Sequence, residues 1–170
     1  MRLLVLSLML ATGPALAQSG PTYDAKGLAT CLADAGTGAD AGPARHACIG
    51  RAAAQCMASP GGDTTAGMVE CLDHEARDWD RLLNDRYRQV LQAAKAADAG
   101  LAGLGSAAAP AAPALQEAQR TWITFRDASC RYESLRFQGG TAGGPAAGDC
   151  VLRLTAEQAL RLDAMAEGLE

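Results

Sequence analysis

The pentapeptide His74-Glu75-Ala76-Arg77-Asp78 comes nearest in this chain to a catalytic motif. In zinc hydrolases two histidines four residues apart on a helix hold the metal, and the glutamate beside the first acts as general base. Such a site needs three protein ligands and an open position. Aspartate here takes the place of the second histidine. Helical charge pairing, with His74 facing Asp78 and Asp73 facing Arg77, is the simpler use of these residues. His46 stands alone near a turn and is expected at the surface. No serine sits in a G-x-S-x-G elbow, and no glycine-rich loop follows a strand to hold phosphate. No catalytic residue, metal or cofactor is therefore expected, and the protein is not read as an enzyme.

Six cysteines carry more definite chemistry: Cys31, Cys48, Cys56, Cys71, Cys130 and Cys150. No two have C-x-x-C spacing, which argues against a zinc site or a redox-active dithiol. Their number is even, and each consecutive pair brackets a turn-rich segment, 36–43, 59–62 and 139–148. Closure between neighbours predicts the bridges Cys31–Cys48, Cys56–Cys71 and Cys130–Cys150, each clipping two adjacent helices near their shared turn. By the chain-entropy model a loop of this size stabilises by about 3 kcal/mol, less any strain.

The elements that position these residues read as helices. Short ones are expected over 24–35 and 43–57, with Pro43 suited to a first turn. A long one follows over 64–97, where Met68, Leu72, Glu75, Trp79, Leu82, Leu83, Arg86, Tyr87, Val90 and Ala94 keep a three-four spacing. Residues 98–113, rich in Ala, Gly and Pro, read as a flexible connection. Over 114–137 the inner face is expected to hold Leu115, Ala118, Trp122, Phe125, Ser129, Tyr132 and Leu135. The last helix is expected to begin at Thr155, where Thr155 and Gln158 match a capping box, with Ala159, Leu162, Met165, Ala166 and Leu169 repeating helically. No stretch reads as a strand. The fold class is all-α: a small antiparallel bundle stapled by disulfides and built on the helices 64–97 and 114–137. Trp79 and Trp122 are placed in the core. Asn84 and Arg126, polar residues beside buried aromatics, are expected to tie helix to helix by hydrogen bonds.

Residues 1–17 read as a secretory leader, with Arg2, an apolar stretch from Leu3 to Ala11, and an Ala15-Leu16-Ala17 cleavage site before Gln18. The apolar stretch is shorter than the ~20 residues a spanning helix needs, so no membrane anchor is expected after cleavage. Gln18 rather than cysteine at the new N-terminus leaves no acceptor for a lipid. The expected product is periplasmic or secreted, where thiols oxidise. Without the leader, fourteen basic residues face nineteen acidic ones, a balance of −5. That argues against a nucleic-acid partner and fits a basic protein.

Asp80-x-x-Leu83-Asn84-x-x-Tyr87 after Cys71, then Ala118-Gln119-x-x-Trp122-x-x-Phe125-Arg126-Asp127-x-x-Cys130, then Cys150 and a helix at Leu154-Thr155, together resemble the LprI-type domain. The resemblance covers about residues 56–168. It implies a small exported bacterial helical protein of a family named for a lysozyme inhibitor. Residues 18–55 then form an N-terminal extension and 56–170 the family domain. The lipid-anchor cysteine of the founding inhibitor is absent, and the segment carrying Cys31 and Cys48 lies outside the shared pattern. The motif residues Asp80, Leu83, Asn84, Tyr87, Gln119, Trp122, Phe125, Arg126 and Asp127 read as structural. Two functions follow: an inhibitor that binds lysozyme, or another basic protein, and occludes it; or a structural adaptor of the cell envelope with no lysozyme contact.

Overall fold

A computed structural model of the chain describes residues 20–168. The leader, its cleavage site and Leu169 lie outside the described residues. Among those residues every regular element is helical: α1 (Gly27–Ala35), a short 3-10 helix (Ala39–Ala41), α2 (Gly42–His46), α3 (Arg51–Met57), α4 (Thr65–Gly103), α5 (Ala111–Leu135) and α6 (Gly143–Glu167). None of these helices is long and apolar enough to cross a membrane.

α4 starts where Thr64, with extended backbone, accepts a hydrogen bond from the Gly67 N–H at 3.0 Å, a side-chain N-cap. The turn before it is packed so closely that a Cβ on Gly67 would overlap the Gly61 carbonyl oxygen. Its inner face is the expected one: Leu72, Glu75, Trp79 and Leu83 are buried, and Met68, Leu82, Arg86 and Tyr87 are half-buried. The main partner of α4 is α6, not α5 as the sequence reading holds. Gly144 lies beside Val69, Gly148 beside Leu72 and Asp163 beside Arg86, so the two helices run parallel. α5 returns antiparallel to α6, which Cys130–Cys150 and the 3.0 Å Gln158–Gln119 hydrogen bond fix at two levels. Trp79, Leu83, Leu152, Ala156, Ala159 and Leu162 form the centre of the core.

The expected single helix over 43–57 is two helices, because Gly50 takes a left-handed conformation (φ 82°) between α2 and α3. α4 runs six residues past the expected 97, and α5 starts at Ala111, so the Ala/Gly/Pro connection shrinks to 104–110. Asp98 explains the return: its carboxylate accepts the N–H groups of Ala111 (2.8 Å) and Ala112 (2.9 Å) and caps α5 from the end of α4. α6 begins at Gly143 rather than Thr155, and Thr155 is a buried mid-helix residue, not a cap. Gly144 and Gly148 belong in that helix because a Cβ on either would press within 3.3 Å of Val69 or Leu72.

The cysteines pair as Cys31–Cys48, Cys56–Cys71 and Cys130–Cys150. Residues 20–57 form a lobe closed within itself by Cys31–Cys48 and attached to the bundle by Cys56–Cys71 and two buried carboxylates. Glu75, fully buried, accepts the N–H groups of Gly50 (2.7 Å) and Ala53 (2.6 Å) at the start of α3, and the Trp79 indole N–H (3.0 Å). Asp163, also buried, is ion-paired to Arg45 of α2 and to Arg86 Nε at 2.5 Å.

Candidate functional site

The zincin-like residues of α4 go three separate ways. Glu75 points into the core and caps α3. His74 stacks on Tyr23 (ring centroids 4.9 Å apart) and lies 3.9 Å from Glu70, rather than pairing with Asp78. Asp78 accepts the Tyr23 hydroxyl at 2.6 Å and pairs with Arg81. Burial first, then the bond to Asp78, push the Tyr23 phenol well above its ordinary value near 10. The trio converges on no open position, and among the described residues no group of three His, Cys, Asp or Glu is placed to hold a metal. Asp73 does pair with Arg77, and His46 is exposed.

The residues of the aromatic motif divide along α5. Cys130 must face α6 to reach Cys150, and a 3.6-residue period then turns Arg126, Trp122, Gln119, Leu115 and Ala112 inward as well. Trp122 is half-buried against the core, and the Arg126 guanidinium lies over its ring at 5.2 Å. Phe125 is five residues from Cys130, about 140° around the helix, and Tyr132 follows Phe125 within about 20°. Both therefore face solvent. Phe125 is 57% exposed, Tyr132 64% and Leu135 62%, which corrects their expected place on the inner face. Ala118 is exposed too.

Nor do the two polar residues tie helices together. Asn84 turns back on its own helix to the carbonyl (2.8 Å) and carboxylate (2.9 Å) of Asp80, and Arg126 pairs with neighbouring Asp127. Gln119 makes the interhelical bond instead. Leu83 is in the core and Tyr87 packs against it. Tyr23, Arg45, Asp98 and Asp163 were not singled out in the sequence, since a lone charged or phenolic residue carries no periodic signal.

What remains, among the described residues, is a solvent-facing apolar row, Phe125, Tyr132 and Leu135, on a helix locked by a disulfide and continued past its end by Phe137, which is 43% exposed. Exposed aromatic residues on a rigid element are how a protein surface anchors a partner. The sequence pattern of the family described as lysozyme inhibitor LprI matches residues 56–162. The chain belongs to that family.

Two relatives of this LprI-family protein share its sequence. An uncharacterized 17.7 kDa protein in the puhA 5′ region of Rhodobacter capsulatus is 31% identical over 170 residues, 99% of each chain. An uncharacterized protein of Rhizobium meliloti (strain 1021) is 34% identical over 100 residues, 59% of this chain and 72% of its own. The first of these matches through the N-terminal lobe as well as the family region. No solved structure matches. Three disulfides in a member of a lysozyme-inhibitor family are the chemistry of an extracytoplasmic compartment.

Proposed function

We propose that this LprI-family protein binds lysozyme and inhibits it by occlusion, using the outward face of α5 as its contact surface. The observation that supports this reading is the solvent-facing row Phe125, Tyr132 and Leu135 in a chain that matches the lysozyme inhibitor family. Covering two half-exposed aromatic rings contributes roughly 2–4 kcal/mol together, a large part of the ~8 kcal/mol of a micromolar complex. A rigid helix keeps the cost of ordering the contact small. The acidic balance of the chain speeds encounter with a basic enzyme, while the apolar row supplies the affinity. In the same reading residues 1–17 are a leader removed before Gln18, residues 18–55 an extension and 56–170 the inhibitor domain, and the protein works in the periplasm or outside the cell.

The test is binding and inhibition of chicken-type, goose-type and invertebrate-type lysozymes at low ionic strength, with wild-type protein and the double variant Phe125→Ser/Tyr132→Ser. The wild type is expected to inhibit at least one of them. The variant should keep its thermal midpoint, because neither ring is in the core, and lose about 100-fold in affinity. A wild type that leaves all three classes active and unbound refutes the proposal and returns the protein to an envelope-adaptor role.

A further inference from the structure

The end of the outward α5 face leads into a groove. A Cβ built on Gly143 would lie 3.7 Å from the Phe137 Cβ, and one on the next residue, Gly144, 3.3 Å from the Val69 Cγ2. Phe137 and Val69, both part-exposed, thus flank the start of α6. Beyond them a cavity of about 300 Å³ opens between α4 and α6, with Val69, Asp73 and Ala76 on one side and Ala147, Gly148 and Val151 on the other. Its size is at the lower end of the about 300–1,000 Å³ range of small-ligand sites, enough for one long side chain. Among the described residues the wall is apolar except at one point: Asp73 is the single charged residue lining it, and no cation does. Its present partner, Arg77, sits one turn along the same helix, and both side chains are at least half exposed. Such a pair is weak and exchanges readily for another cation.

An apolar trough with one carboxylate matches a long basic side chain, whose methylene stem packs on apolar surface while its head keeps a charged partner. We propose that this groove receives one lysine or arginine side chain of the bound lysozyme, its stem against Val69, Ala147 and Val151 and its charge against Asp73. The inference rests on the lysozyme-binding reading and names the chemistry the interface takes beyond the α5 row. Small residues along this stretch of α6 then have two uses, close approach of α4 below and an open trough above.

Two variants separate the groove from the rest of the interface. Ala147→Leu fills the trough with apolar volume, and Asp73→Asn removes the charge from an exposed position that no core contact depends on. Each is expected to weaken binding to whichever lysozyme the wild type binds by about tenfold. The Asp73→Asn deficit should shrink at high salt, and the Ala147→Leu deficit should persist. If the wild type binds and both variants bind within twofold of it, the groove proposal is overturned while the α5 reading stands. If the wild type binds no lysozyme, both fall. Should Ala147→Leu disturb folding, Asp73→Asn and its salt dependence still decide the matter.

Discussion

Replacing Glu75 with alanine removes one carboxylate that serves three donors: the N–H groups of Gly50 and Ala53 and the indole of Trp79. The side chain is fully buried, so no water takes its place without opening the contact between α3 and α4. Hydrogen bonds to a charged acceptor each contribute about 1.5–3 kcal/mol, and a buried donor left without a partner costs about 1–3 kcal/mol. Against this stands the desolvation cost of the carboxylate, which its removal recovers. The three contacts share one group and do not add independently, so the expected loss is about 3–5 kcal/mol. That is a third or more of the roughly 5–15 kcal/mol that holds an ordinary domain together. Glu75→Gln keeps the shape but sets an amide donor against either the Ala53 N–H or the pair on the other oxygen, and about 2 kcal/mol is expected. Urea unfolding followed by tryptophan fluorescence measures both variants, and hydrogen exchange at residues 50–57 locates the damage. A Glu75→Ala protein within 1 kcal/mol of wild type, with Ala53 still protected, would refute the capping argument.

Other perturbations reach the same lobe by different routes. Replacing both Cys31 and Cys48 with serine opens a loop of 17 residues and should cost about 3 kcal/mol, read as a lower urea midpoint, with exchange protection lost in α1 and α2 and retained in α6. No change in midpoint would mean that the noncovalent contacts of the lobe and the remaining Cys56–Cys71 bridge hold it without Cys31–Cys48. Tyr23 supplies a pH test. Its folded pKa lies above the ordinary value of 10, so its bond to Asp78 contributes fully at neutral pH and is lost as the pH rises past 10 through that raised value. Wild-type protein should therefore lose stability in that alkaline range faster than Tyr23→Phe; parallel profiles would remove Tyr23 from the account.

The legible part of this fold is the part that repeats. The face of α4 from Met68 to Ala94 shows in the sequence because apolar side chains recur at the helical period, and the disulfide partners show because each pair spans one turn. α5 misleads for a reason that its own cysteine contains. Aromatic residues at positions 125 and 132 carry the strongest apolar signal on the helix, but Cys130 has a covalent partner, and a helix cannot present positions 125 and 130 to the same neighbour. Periodicity measured from Cys130, rather than from the largest rings, gives the inner face Ala112, Leu115, Gln119, Trp122 and Arg126. The first half of α6 is hidden by composition: Gly143, Gly144 and Gly148 weaken helix propensity, and only the approach of Ser134 to the first, Val69 to the second and Leu72 to the third shows why a larger residue would crowd its neighbour. Buried charge left the least trace. Glu75 and Asp163 sit at helical positions that any solvated carboxylate could occupy, and what makes them buried is the arrival of Gly50, Ala53, Arg45 and Arg86 from elsewhere in the chain. The same logic isolates the proposed contact surface. Once the disulfide assigns one side of α5 to the core, Phe125, Tyr132 and Leu135 on the other side are left more than half exposed, and that is the surface the proposed contact uses.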